Sequence, residues 1–388
     1  MIADAVTWFI GLGSVVFIPI IIIILGLIVR VKPSKAIIAG ITVGIGFIGL
    51  NMVTGFLQEV LGPAIKLMVK NYGLTLSIMD LGSGTAGPLS FSTTLGVLII
   101  PVAFILNLIL VWTGITKTLN VDVWNLWQPA LIGVMVWGIT GNYVYGAIAM
   151  IPGFLLQLLL ADLSQPLLSK FFNFPGIAIT HLMALSGMVL AVPLNWLFDR
   201  IPGLKDLDVD PETIQEKFGL IGDPIIIGFV IGVVIRLLAG YDFGGFMTLG
   251  VQMAAVLKMV GMFMEGLTPI AEGTQEFCKK YLHGKVVNIG MDAALTVGNS
   301  AVMATALLLI PVTLFISVVL PGNTILHFGD LPTLVFALSC MVAAFKGNIL
   351  RSVIGCGIYS ASMLYLATWL APALTKAYQL AQYSVGSS

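Results

Sequence analysis

Two aspartates stand where charge is expensive. Asp80 and Asp292 each follow a methionine, and each precedes a polar stretch, Gly82 to Ser92 in one case and Thr296 to Ser300 in the other, within an otherwise strongly apolar chain. An ionisable side chain at the centre of an apolar span costs on the order of 2.5–3.5 kcal/mol on insertion scales, so each carboxylate needs a compensating role. Two roles fit. Paired carboxylates can accept hydrogen bonds from the hydroxyls of a polyol, or each can cap the N-terminus of a half-helix, where the dipole favours negative charge. His181 is the one histidine inside an apolar segment, since His283 lies in a charged loop and His327 near a span entrance. It reads either as a ligand contact or as a satisfied core group. Gln128, flanked by Trp124 and Trp127, offers a donor and an acceptor beside aromatic faces on which the C–H surface of a sugar could stack. The same trio also fits an interfacial aromatic belt. Asn299 adds an amide to the stretch that holds Asp292, while Gly141-Asn142 and Gly347-Asn348 read as helix ends or turns.

No Walker loop, nucleophile elbow, HExxH motif or dinucleotide-binding glycine motif is present. The chain is therefore not expected to be an enzyme on its own or an ATP-driven pump, and no cofactor is expected. Cys278, Cys340 and Cys356 have neither CxxC nor metal-ligand spacing and read as packing residues.

These candidates need an apolar scaffold, and the composition supplies one. Of 388 residues, 58% are hydrophobic and 9% charged, against about a quarter charged in soluble domains. Runs such as Val15 to Val29, Leu95 to Trp112, Ile225 to Leu238 and Val302 to Leu320 approach or join into the roughly 20 residues that span a bilayer. The fold class expected is an all-α polytopic membrane protein of about ten transmembrane helices plus re-entrant hairpins. Formal net charge is zero, with no basic stripe, so nucleic acid is not expected as a partner. The first apolar segment, Trp8 to Arg30, lacks a basic leader and a small-residue cleavage site and reads as a retained span.

The chain also repeats itself. Gly26-Leu-Ile-Val-Arg30 reappears as Gly232-Val-Val-Ile-Arg236, 206 positions later, and Gly44 with Gly250, Leu61 and Pro63 with Leu267 and Pro269, and Gly141-Asn142 with Gly347-Asn348 keep that spacing. With a short insertion, Met79-Asp80 matches Met291-Asp292 and Ile99-Ile100-Pro101-Val102 matches Leu309-Ile310-Pro311-Val312. The boundaries expected are a first repeat over 1–165 with a hairpin at about 71–94, a linker over 166–219, and a second repeat over 220–388 with a hairpin at about 286–300. Irregular polar backbone survives at membrane depth only where protein or a water-filled cavity surrounds it, which is why both hairpins read as re-entrant. Pro175 to Phe198 reads as a third broken element. Lysine and arginine in short loops place Arg30 to Lys35, Lys117, Lys170, Arg200 to Lys217 and Lys279 to Lys285 inside. Only an inverted repeat satisfies all of them, with the N-terminus outside and the substrate site at the repeat interface.

Several stretches carry a family resemblance. Asn120-Val-Asp-Val-Trp-Asn-Leu-Trp127, Ile214-Gln-Glu-Lys-Phe-Gly219, Gly240-Tyr-Asp242, Gly266-Leu-Thr-Pro-Ile-Ala271, Val319-Leu-Pro-Gly-Asn323, Phe328-Gly-Asp-Leu331 and Gly347-Asn348 resemble the galactitol-type membrane subunit, IIC, of the bacterial phosphoenolpyruvate-dependent sugar phosphotransferase system. The ascorbate IIC transporters are more distant relatives. The resemblance implies a homodimer in the bacterial inner membrane, an elevator-like core that carries a sugar or polyol substrate across the bilayer by alternating access, and phosphorylation by a separate IIB subunit served by IIA. It also implies ligand contacts near Asp80, Gln128, His181 and Asp292. Three departures bear on the substrate and the chain end. Thr180-His-Leu-Met183 replaces an expected Pro-His-Gly-Thr, Gln128 and Asn299 replace expected histidines, and the chain stops at Ser388, short of a last expected span. The pocket is then open to a different polyol or a pentose. The competing class is an ion-coupled secondary transporter, in which Asp80 and Asp292 bind a proton or Na⁺; a membrane scaffold that moves nothing fits the polar hairpins poorly.

Overall fold

The computed structural model describes residues 30–42, 77–78, 86–122, 124–204, 287–296, 299–326, 331 and 334–380, with isolated positions between 8 and 48 and between 226 and 251. In chain order the described elements of the first part are strand β1 (Ser77–Ile78), helices α1 (Ala86–Phe91) and α2 (Thr94–Thr113), strand β2 (Thr118–Asn120), a 3-10 turn at Trp124–Leu126, and helices α3 (Trp127–Thr140) and α4 (Tyr143–Phe172). The middle segment supplies strand β3 (Ile177–Ile179) and helices α5 (Leu182–Ser186) and α6 (Met188–Phe198). The last part contributes strand β4 (Asn288–Met291), a 3-10 turn at Ala293–Thr296, helix α7 (Ser300–Val319), strand β5 (Ile325–Leu326) and helices α8 (Leu334–Ala344) and α9 (Ile349–Leu380).

Four of these helices, α2, α4, α7 and α9, are long and apolar enough to cross a membrane. At 1.5 Å per residue the 20-residue helices α2 and α7 match a hydrocarbon core of about 30 Å. The 30 and 32 residues of α4 and α9 exceed it, so these helices must tilt or project. Their starts are written into the sequence. Gly141 and Gly347 take positive φ values of 68° and 79°, which a residue without a Cβ adopts at little cost. The asparagine after each glycine then starts the next helix: Oδ1 of Asn142 accepts from the N–H groups of Val144 (2.9 Å) and Tyr145 (3.3 Å), and Oδ1 of Asn348 accepts from Arg351 N–H (3.0 Å). In the middle segment, β3 is followed by two short helices that meet at Gly187.

The described structure is mostly helical, and short strands join its helices. Strands β2, β4 and β3 form a parallel sheet with β4 in the centre, and β1 pairs in parallel with β5. Asn120 lies opposite Gly290, which lies opposite Ala178. Gly290 permits this closeness: a Cβ there would sit 2.8 Å from the Asn120 Cα and 2.6 Å from Thr180 Cγ2. A sheet edge facing lipid would leave backbone groups unsatisfied at a cost of several kcal/mol each, so open sheets do not persist at membrane depth. Here helix side chains close both edges. Asn107 of α2 donates from Nδ2 to Thr118 O (2.9 Å) and accepts at Oδ1 from Asn120 N–H (2.7 Å). On the other edge Gln157 of α4 donates to Thr180 O, and Gln165 donates to Ile177 O (3.3 Å). Asp162, also on α4, accepts from Thr116 Oγ1 (2.6 Å) and Thr118 Oγ1 (2.7 Å), and so fixes the start of β2.

Two apolar cores flank this arrangement. One gathers Leu168, Ile179, Leu185, Ile289, Leu309 and Met341 around the sheet. The other gathers Leu89, Leu95, Trp127, Val134, Phe154 and Leu374 around α1 to α4 and the end of α9.

Candidate functional site

The parallel register decides what stands at the sheet's end. Two residues beyond the aligned trio of Asn120, Gly290 and Ala178, just past the strand ends, the chain reaches Asp122, Asp292 and Thr180 respectively. Neighbouring strands lie about 4.8 Å apart, so the two aspartates become neighbours across β2 and β4, and His181 follows on the third strand. Their carboxyl groups stand close enough to act on each other directly. His181 is close enough to Asp292 for a direct charge interaction.

Each strand end is held from behind. Asn120 Oδ1 accepts from Asp122 N–H (3.1 Å) and from Thr180 Oγ1 (3.0 Å), which ties β2 to β3 across the end of the sheet. Asp122 Oδ1 accepts from Trp124 N–H (2.8 Å) and Asn125 N–H (3.4 Å) and thereby caps the 3-10 turn that leads into α3. That turn delivers Gln128. Its Oε1 accepts from Leu182 N–H (2.6 Å), at the first turn of α5 immediately after His181.

Several polar atoms here are buried and unanswered. Gln128 and His181 are 5% and 3% exposed, and among the described residues Gln128 Nε2 and His181 Nδ1 have no hydrogen-bond partner. The side-chain amide of Asn125 and Nε1 of Trp127 are in the same position. A buried polar group without a partner costs about 1–3 kcal/mol, and a cluster of them beside a carboxyl pair matches a ligand that both donates and accepts. A hydroxyl does both.

The residues singled out from sequence separate accordingly. Gln128, His181 and Asp292 come together at the end of the sheet. Trp124 packs against Phe91 with ring centroids 5.8 Å apart, and Gly87 leaves room for it, since a Cβ there would lie 3.1 Å from Trp124 Cζ2. Trp127 is 2% exposed, which removes it from any lipid-facing aromatic belt. Asn299 caps α7, its Oδ1 accepting from Ala301 N–H (3.0 Å) and Val302 N–H (3.2 Å). Asp80 lies outside the described residues. One member escaped sequence reasoning. Asp122 sits in a polar stretch where an aspartate draws no notice, and only the β2–β4 register reveals its neighbour. Among the described residues no cluster of three or more histidine, cysteine or acidic side chains is arranged to hold a metal ion.

Comparison of the sequence with known proteins places the chain in a lineage. The family described as "PTS system sugar-specific permease component" matches residues 8–387. A putative permease IIC component of Escherichia coli (strain K12) is 38% identical over 373 residues, covering 95% of this chain and 85% of the relative. The galactitol-specific EIIC component of the phosphotransferase system from the same strain is 34% identical over 372 residues, covering 95% of this chain and 82% of its own length, and its counterpart in Escherichia coli O157:H7 matches equally. With apolar helices long enough to cross a bilayer and a family match over nearly its whole length, the chain is an integral membrane protein that belongs to the sugar-specific permease components of the phosphotransferase system.

Proposed function

We propose that the chain carries a sugar alcohol of the galactitol type across the bacterial cytoplasmic membrane, as a homodimer working by alternating access, and presents it to a separate IIB subunit for phosphorylation, with IIA upstream. The observation that carries this reading is the convergence of Gln128 Nε2 and His181 Nδ1, both buried and unpartnered among the described residues, beside the Asp292 carboxyl. A neutral, hydroxyl-rich ligand answers all three. Asp80, Trp124, Gln128, His181, Asp292 and Asn299 are the proposed contacts, with Trp124 supplying an aromatic face for the sugar's C–H surface. The galactitol-specific relative supports the substrate class.

Two inverted repeats, over 1–165 and 220–388, joined by a linker over 166–219 and giving about ten spans, are the architecture that goes with this reading. Supporting it, α2 and α7 are both 20 residues long and begin 206 positions apart, and α4 and α9 each begin after Gly-Asn at the same spacing. The strand exchange has a matching pattern: Ser77 pairs with Ile325 and Ile78 with Leu326, as Ile289 pairs with Leu119 and Gly290 with Asn120. Transporters built this way hold their ligand at the repeat interface.

The test is uptake and phosphorylation of a radiolabelled polyol panel, galactitol included, in membrane vesicles with and without IIA, IIB and phosphoenolpyruvate. Sugar phosphate appearing only with the partners is the expected result. Free sugar that accumulates without them, driven by an ion gradient, would replace this reading with an ion-coupled transporter.

A further inference from the structure

Asp122 lies outside the proposed ligand contacts, yet its carboxyl faces that of Asp292 at the end of two adjacent parallel strands. Two carboxyl groups brought side by side by this register cannot both be ionised at low cost, because their negative charges repel in a medium that screens them poorly. One proton between them relieves that repulsion, since a protonated carboxyl donates where a carboxylate only accepts. The described partners of Asp122 fit this requirement. Apart from the opposing carboxyl, Asp122 receives the N–H groups of Trp124 and Asn125 on one oxygen, both neutral donors. His181 is the titratable group that faces Asp292 from the third strand, and its Nδ1 is free of any partner among the described residues. Asp162 and Lys117 lie at the opposite end of β2, where Asp162 accepts from Thr116, Lys117 N–H and Thr118.

We propose that Asp122 is a ligand-contacting residue and that it shares a single proton with Asp292, so that the pair offers one acidic donor and one carboxylate acceptor to adjacent hydroxyls of the substrate. The proposal rests on the polyol reading for its ligand and on the strand register for its geometry. It gives the dyad a reason to be adjacent. Vicinal hydroxyls each donate once and accept twice, and a half-protonated carboxyl pair is the complement of such a diol, whereas two carboxylates would offer acceptors alone. It also halves the charge that the site must hold inside a low-dielectric protein.

Because Asp122 also caps the turn that carries Gln128, the variants must separate capping from proton sharing. Asp122→Asn keeps Oδ1 for the cap and gives Asp292 a permanent N–H donor, which mimics the protonated form without an exchangeable proton. Asp122→Ser keeps a capping oxygen but is too short to reach Asp292. Infrared spectroscopy of the purified, sugar-free protein in lipid nanodiscs reads the shared proton as the carbonyl stretch of a protonated carboxyl persisting at neutral pH. Galactitol binding to the same samples, followed across pH, reads the ligand contact.

The wild type should show the carboxyl band at neutral pH and lose galactitol affinity as alkaline pH strips the shared proton. Asp122→Asn should lack the band, bind roughly tenfold more weakly and show no alkaline decline. Asp122→Ser should lack the band and bind roughly a hundredfold more weakly, with its helical content unchanged. A band that survives in Asp122→Asn, or an alkaline decline that Asp122→Asn shares with the wild type, overturns the shared proton. Wild-type affinity in Asp122→Ser overturns the contact. Absence of polyol binding in every sample, wild type included, defeats the polyol reading and the contact with it, while the infrared band still decides the proton.

Discussion

Gly290 and Gln128 hold the site in opposite ways, one by what it lacks and the other by what it joins. Replacing Gly290 with alanine would drive a methyl group to 2.8 Å from the backbone of Asn120, so β2 and β4 must spread and Asp122 must leave Asp292. Overpacking of this kind typically costs about 1–3 kcal/mol. Gly290→Ala should therefore lower the unfolding temperature in detergent and abolish sugar binding, and unchanged binding would show that the register does not set the site. Gln128→Glu keeps the oxygen that receives Leu182 N–H but exchanges the unpartnered amide donor for a carboxylate. Folding should be preserved while galactitol affinity falls by roughly tenfold or more; equal affinity in this variant would remove Gln128 from the ligand. Gln128, His181 and Asp292 were legible in the sequence because a polar side chain in an apolar setting needs a reason. Asp122 was not, because its polar neighbours disguise it and its partner is 170 positions away.

At the scale of elements, the helix breaks were legible and the strands were not. Gly-Asn pairs announce their turns locally, through a backbone only glycine adopts freely and an amide that caps. Strands of two to four residues are too short to show an alternating pattern, and what stabilises them lies elsewhere in the chain. Asn107 shows how much elsewhere matters. Asn107→Leu, which keeps the branching at Cγ but carries no polar atoms, would leave Thr118 O and Asn120 N–H without their partners, at about 1–3 kcal/mol each. The variant should express poorly or unfold at a lower temperature than the wild type, and a protein of wild-type stability would mean that lipid or water can close the edge instead. A second joint ties α6 to α9. The buried guanidinium of Arg351 donates to Asp199 Oδ1 (2.6 Å), Asn195 Oδ1 (3.0 Å) and Leu204 O (2.9 Å). Its hydrogen bond holds the exposed Asp199 carboxyl below the usual carboxylate range. A carboxyl lowered in the folded state stabilises the protein above its unfolded-chain value and loses that contribution as pH falls through the lowered one. Acid unfolding of Asp199→Asn should thus lack the wild type's last increment of stability, a small one given the solvent around Asp199.

At the scale of the molecule, the three-stranded sheet draws on three separate parts of the chain, 118–120, 177–179 and 288–291. Whatever moves with one strand must move with the others, so the alternating access proposed above would have to carry the three strand ends together. A disulfide inside the sheet, made by Leu119→Cys with Ile289→Cys at paired positions, should leave transport unaffected. Cysteine pairs that tie the sheet to elements outside this body should stop it, and transport surviving such a lock would rule out a moving body. The overall plan of apolar spans interrupted by polar segments could be read from composition. The joining of distant segments could not, because backbone pairing between them leaves no mark in either sequence.

That remote pairing sets a timetable for biogenesis. Strands β2 and β3 are synthesised well before β4, and at about 5–20 residues per second the ribosome needs on the order of ten seconds or more to travel from Asn120 to Asn288. During that interval the hydrogen-bonding edges that β4 will occupy are unpaired. Asn107 can engage β2 and Gln157 can engage β3 as soon as each is made, since both lie within a short stretch of chain from their targets. The amide side chains on α2 and α4 are therefore placed to hold the two outer segments extended and oriented until the central strand arrives to complete them.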